Sequence, residues 1–109
     1  MNMIVRNGDI KLEELGNGVS RKILAHDSNM MIVEVNFLKG AIGAVHTHEN
    51  EQVSYVLKGS FEVNIEGVKE IIKAGDTFYI KPNAAHGVIA QEDATILDVF
   101  TPQRIDFLK

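Results

Sequence analysis

The residues best suited to chemistry in this chain begin with the pair His46-Thr47-His48. Residues i and i+2 of a strand project from the same face, so two imidazoles at this spacing can reach one ion. A bare His-x-His also suits an ordinary polar position on an edge strand, and the pair alone does not decide between these readings. Its surroundings carry more information. Gly40 stands six residues before His46, Gln52 four residues after His48, and six residues separate Gln52 from Gly59. Further on, Gly75-Asp76 opens a run that passes through Pro82 and reaches His86.

These spacings resemble the two motifs of the cupin family, Gly-x5-His-x-His-x3-Glu-x6-Gly and Gly-x5-Pro-x-Gly-x2-His-x3-Asn, over residues 40–86. The resemblance implies one divalent transition metal on His46, His48, Gln52 and His86. Zn, Ni, Fe, Mn and Co all accept imidazole and amide ligands, so the ion's identity stays open. Four positions depart from the motifs: Gln52 replaces Glu, Pro82 is one place late, Asn83 replaces the inner glycine, and Ala90 replaces the final Asn. Asn tolerates the left-handed backbone that the glycine supplies, which preserves the turn leading to His86. Gln52 binds a cation through its amide oxygen without bringing charge, leaving the ion's full positive charge for Lewis-acid or substrate-binding work. Glu51 is the rival ligand, but counting back from Gly59 selects Gln52, and neighbours on a strand face opposite ways.

The tail Asp98-Val99-Phe100-Thr101-Pro102-Gln103-Arg104-Ile105-Asp106-Phe107-Leu108, together with His46-Thr47-His48-Glu49-Asn50-Glu51-Gln52, resembles the small pectin-degradation cupins that linearise unsaturated uronates. That resemblance places a carboxylate, an aromatic ring and a guanidinium opposite the metal from the last strand, and so gives catalytic roles to Asp98, Phe100 and Arg104. It implies metal-dependent ring opening of 4,5-unsaturated monouronates from pectin or alginate, with a sugar acid as the small-molecule partner. Asp98 and Phe100, two apart, would share a face. The plainer alternative makes Asp98 and Arg104 a solvated surface pair and Phe100 core filling. A non-catalytic sugar- or metal-binding cupin and a cupin dioxygenase are the competing functions.

Something must hold these residues in place, and the chain between them reads as strands. Met31 to Leu38, Gln52 to Lys58, Ser60 to Ile65, Val68 to Ile72, Thr77 to Ile80 and Ala94 to Phe100 are rich in β-branched and aromatic residues and separated by turn signals. Ser60 to Glu66 alternates apolar and polar residues, and Glu66-Gly67 supplies a tight turn into Val68. This predicts an all-β sandwich or barrel, and the cupin resemblance narrows it to a single-domain jelly-roll β-barrel over residues 1–109. His26, before Asp27-Ser28-Asn29, is assigned to a surface hairpin with no role. Tyr55, Phe61 and Phe78 are assigned to the core.

Composition bounds the rest. With 45% hydrophobic and 24% charged residues the chain is of ordinary globular character. It has no cysteine, which removes disulfides, thiolate ligands and a Cys nucleophile, and favours a reducing cytoplasm. Its net charge of −4 and scattered Lys and Arg argue against nucleic acid. Met1 to Arg6 lacks the features of a signal peptide and no apolar run approaches a membrane span, so a cytoplasmic protein with no membrane partner is expected. Exposed strand edges and the N-terminal segment suggest a homodimer.

Overall fold

The computed structural model describes residues 3–109; Met1 and Asn2, which begin the segment read against a signal peptide, lie outside them. The described strands are β1 (Glu13–Gly16), β2 (Val19–Asp27), β3 (Met30–Phe37), β4 (Ile42–His46), β5 (Glu51–Lys58), β6 (Ser60–Ile65), β7 (Val68–Lys73), β8 (Thr77–Ile80), β9 (His86–Ala90) and β10 (Ala94–Thr101). Short 3-10 turns occur at Asn7–Asp9 and Ile105–Leu108. The strands form two antiparallel sheets, one in the order β1-β2-β3-β10-β5-β8 and the other β4-β9-β6-β7. This is the all-β jelly-roll architecture expected of the sequence. No helix among the described residues is long and apolar enough to cross a membrane.

Period-two burial sets which side chains face inward. Along β5, Gln52, Ser54 and Val56 are buried while Glu51, Val53, Tyr55 and Leu57 face out. Opposite it in the second sheet, β6 buries Phe61 and Val63. Phe61 meets Phe37 edge to face at 5.1 Å, and Val56, Val63 and Ile96 close the core around them. Burying each such side chain stabilises the fold by about 1.5–3 kcal/mol. A second cluster of Met31, Val33 and Phe100, with Phe107 packed on it, fills the inside toward the C-terminal end of β10.

Two turns show why the sequence chose its residues. Glu66 and Gly67 both have positive φ, 50° and 87°, which is the backbone of the two-residue hairpin joining the Ile65–Val68 pair. Asn83 has φ 66°, so it adopts the left-handed conformation expected where the motif has glycine.

Two expectations need correction. Tyr55 is not core: it sits on the outer face of β5 and is 43% exposed. Four strands, β1, β2, β4 and β9, were not among the predicted runs. β1 and β9 are short, and β2 and β4 carry register shifts, between Ile23 and His26 and between Gly43 and His46, which interrupt alternation.

Candidate metal centre and catalytic cavity

The candidate ligands come from both sheets. His46 closes β4 and is the cross-strand partner of His86, which opens β9. Gln52 is the first buried residue of β5 in the other sheet. His48 lies beyond the end of β4, in the connection that carries the chain from one sheet to the other. The expected placement of His46 and His48 on one strand face is therefore corrected: the chain leaves the sheet after His46, and the crossing connection brings His48 back over its neighbour. The three rings lie together, with centroids 4.5 Å apart for His46 and His86, 4.9 Å for His48 and His86, and 5.5 Å for His46 and His48. One nitrogen from each can be chosen so that all lie within 4.8 Å of one another.

Backbone carbonyls orient the imidazoles. His46 Nδ1 lies 2.8 Å from the Ala44 carbonyl, His86 Nδ1 2.9 Å from that of Ala84, and His48 Nδ1 3.0 Å from that of Asn50. Each carbonyl can only accept, so each Nδ1 carries the proton and each Nε2 is left with a lone pair. Burial holds both His48 and His86 below the ordinary imidazole range, and the Arg104 charge adds to this, so both rings are neutral at pH 7.

This arrangement fits a cation. His86 Nε2 is buried with no hydrogen-bond partner among the described residues. His48 Nε2 faces Gln52 Oε1 at 3.0 Å, and with its proton on Nδ1 this sets two acceptors against each other. The amide orientation is itself held from behind, where Gln52 Nε2 donates to Ser54 Oγ at 2.8 Å and to Asp98 Oδ1 at 3.3 Å. Three imidazole lone pairs and an amide oxygen make a donor set suited to a divalent transition metal. Glu51, exposed on the opposite face of β5, does not join the cluster.

Asp98 and Phe100 share the inner face of β10, as their spacing implied. Asp98 pairs across the sheet with Val33 and Ser54, and Phe100 with Met31 and Gln52. Ser54 Oγ donates to Asp98 Oδ1 at 2.6 Å. Asp98 lines a partly open cavity and is itself partly buried. That burial pushes its carboxyl up to about 6, against the opposing pull of the Ser54 hydrogen bond, Arg104, His46 and Gln52. Phe100 is buried in the second core cluster and also lines the cavity, its ring 5.6 Å from that of His48. It therefore both packs and borders the site.

Arg104 lies past the end of β10, at the start of the Ile105–Leu108 turn, and not on the strand. Its guanidinium reaches back to line the cavity, 5.1 Å from the Phe100 ring centre and 4.2 Å from that of Phe107. It does not pair with Asp98. Its Nε and Nη2 donate to Asp106 Oδ1 and Oδ2 at 3.1 and 2.9 Å, and these bonds hold the Asp106 carboxyl below the usual range. One two-pronged edge of the guanidinium is thus engaged by Asp106.

Two residues escaped sequence reasoning. Asn50 is buried, and its Nδ2 donates to the Pro102 carbonyl at 2.7 Å while its own carbonyl orients His48. It ties the C-terminal segment to the ligand-bearing connection, and no spacing rule signals it. Arg21 lines the cavity from β2. A signal was present: in Val19-Ser20-Arg21-Lys22-Ile23 a charge stands between two apolar residues on one strand face.

Comparison with known proteins agrees with this geometry. A profile described as "Cupin domain" matches residues 33–100. The chain is 49% identical over 98 residues to the pectin degradation protein KdgF of Dickeya dadantii (strain 3937), covering 88% of this chain and 89% of that one. Among solved structures it is similar to KdgF from Halomonas sp., with a TM-score of 0.93, 37% identity and coverage of 98% and 99% of the two chains. It is also similar to an RmlC-like cupin from Shewanella frigidimarina, with a TM-score of 0.95, 36% identity and coverage of 98% and 96%. A jelly roll whose three clustered imidazoles stand at the motif positions, matched along nearly its whole length by these proteins, belongs to the cupin family.

Proposed function

We propose that this protein opens the ring of 4,5-unsaturated monouronates released from pectin or alginate, using a divalent metal held by His46, His48, Gln52 and His86. The observation that carries the reading is that Asp98, Phe100 and Arg104 line the same cavity as His46, Gln52 and His86. The likeness to pectin degradation proteins supports the substrate class. The cavity holds about 170 Å³. Sites for drug-sized ligands usually span about 300–1,000 Å³, so this one suits a single sugar ring and not a polymer chain.

The substrate has a C4=C5 double bond conjugated to its carboxylate, and its ring oxygen is an enol ether. Opening the ring breaks the bond from C1 to the ring oxygen, removes the hydroxyl proton at C1 and adds a proton at C4. The product is a linear 5-keto sugar acid with an aldehyde at C1, and no water is consumed. A metal bound here supplies Lewis-acid polarisation of substrate oxygens. Asp98 is the carboxyl placed to move the proton, since a value of about 6 lets it give and take one near neutral pH. Ser54 and Gln52 both donate to its Oδ1, which orients the other oxygen's lone pairs for the substrate. Phe100 offers an apolar wall to the sugar ring, and Arg104 is a fixed cation beside it.

The reading includes a homodimer. Outward-facing Val53, Tyr55, Leu57 and Tyr79, on the adjacent strands β5 and β8, are each about half exposed, which supports burial of this face by a second copy. The function is tested by following the loss of the conjugated double bond's ultraviolet absorbance with the protein loaded in turn with each candidate metal. Acceleration over spontaneous opening is expected. No acceleration with any metal removes the enzyme reading and leaves a sugar- or metal-binding cupin.

A further inference from the structure

We propose that Arg21 is a ligand-binding residue of this cavity, and that it holds the carboxylate of the sugar acid. The inference rests on the function proposed above and adds to it the group that recognises the acid.

The inner face of the larger sheet places Arg21 close to the reacting groups. Arg21 pairs with Val35 on β3, Val35 with Ile96 on β10, and Ile96 precedes Asp98 by one inward position. The arginine therefore stands in the row next to Asp98, on the same side of the sheet. Its guanidinium lies 4.0 Å from the centre of the Phe107 ring, the ring that Arg104 also contacts. Two cations thus converge on one phenyl group at the cavity wall.

Their hydrogen bonding differs. Arg104 has its Nε and Nη2 edge on Asp106. Among the described residues Arg21 has one long contact, from Nη2 to Glu13 Oε2 at 3.5 Å, and its buried Nε has no hydrogen-bond partner. Buried polar groups are nearly always satisfied, so this unpaired guanidinium N–H leaves the arginine at the cavity wall with bonding capacity to spare. A guanidinium presents a planar fork that matches a carboxylate, and it is the free fork of the two. Asp98, Asp106 and Glu13 are the acidic groups facing these cations; Asp106 is committed to Arg104, and Asp98 to Ser54 and Gln52. A ligand carboxylate supplies the missing anion.

The test is titration of the metal-loaded protein with galacturonate, a saturated uronate that cannot undergo the reaction, and with neutral galactose, followed by NMR. Wild type is expected to prefer the uronate. Arg21→Gln is expected to lower that preference about 10- to 100-fold, the range for a hydrogen bond to a charged group. Arg21→Lys, which keeps the charge but lacks the fork, should lie between them and provides a folded comparison if Arg21→Gln does not fold. Glu13→Gln is expected to keep the preference, whereas a purely structural Arg21–Glu13 pair would make the two neutral variants alike. An unchanged uronate preference in Arg21→Gln, or in Arg21→Lys where only that variant folds, overturns the proposal while the ring-opening reading stands. If wild type shows no preference for galacturonate over galactose, the carboxylate is not recognised here and the proposal also fails; ring opening is judged separately by the absorbance assay.

Discussion

Replacing Asp98 by Asn separates proton transfer from everything else this residue does. Both hydrogen bonds it accepts, from Ser54 at 2.6 Å and Gln52 at 3.3 Å, arrive at Oδ1. An asparagine in the same rotamer keeps an oxygen there, so the link that orients Gln52 survives. Its stability effect should be favourable. Burial raises the carboxyl from 3.8 to about 6, which at 1.36 kcal/mol per unit means that carrying the charge inside costs on the order of 3 kcal/mol in the metal-free protein. Because the folded value is the higher one, this cost is complete above about pH 6 and absent below the unfolded value. The variant's gain in thermal stability should accordingly be present at pH 8 and vanish near pH 3. Catalysis should move the other way. Asn cannot shuttle a proton, and a positioned acid–base group is worth about 10²–10⁴-fold, or at least about 2.7 kcal/mol of barrier. The assay is decay of the unsaturated uronate's absorbance, with spontaneous opening subtracted and metal content matched. Turnover by Asp98→Asn at the wild-type rate would refute the assignment of Asp98 as the proton-transfer group.

His46→Ala and His48→Ala should each lose the metal, since the remaining ligands hold a labile divalent ion weakly; elemental analysis showing full occupancy in both would dismiss the ligand set. Gln52→Glu should keep the metal yet slow ring opening, because an anionic ligand lowers the ion's effective charge and sets a second carboxylate against Asp98, only 3.3 Å from the present amide; full activity with metal retained would make the neutral amide incidental. Arg104→Ala should raise KM more than it lowers kcat, by removing a cation that faces substrate and transition state alike, and steady-state kinetics showing only a kcat effect would count against it. Light scattering at micromolar concentration should give twice the 12.1 kDa chain mass, and a monomeric value would contradict the homodimer.

Much of the fold was legible because its core strands alternate cleanly. Gln52, Ser54 and Val56 of β5 and Phe61 and Val63 of β6 are buried between more exposed neighbours, and the Glu66-Gly67 turn carries its own backbone signature. The strands that escaped notice are those where alternation fails. β2 carries Arg21 on its inward face between Val19 and Ile23 and then shifts register before His26, while β9 starts with two buried residues, His86 and Gly87. His26 was correctly read as belonging to the surface hairpin between β2 and β3, where it meets Gln103 at 2.9 Å. At the site, the motif spacings that resemble the cupin family pointed to His46, His48 and His86, which the structure brings together. The route was not legible: His48 arrives through a connection between sheets, and Arg104 through the segment after β10. The Arg104–Asp106 pairing and the role of Asn50 depend on how that last segment folds back, and pairs so local or so distant in sequence leave no periodic trace.

Each imidazole in this site takes its orienting hydrogen bond from a main-chain carbonyl two residues away. A carbonyl persists whatever amino acid bears it, so substitutions elsewhere in the barrel cannot deprive the rings of their tautomer as long as the backbone path is kept. The groups proposed to act on substrate stand apart, on β10, on β2 and in the C-terminal segment. The architecture therefore buffers the three imidazoles against drift, whereas Gln52, held by the side chains of Ser54 and Asp98, is tied to the groups proposed to act on substrate. Such a division lets side chains of β2 and the C-terminal segment change without disturbing the tautomers of the three rings.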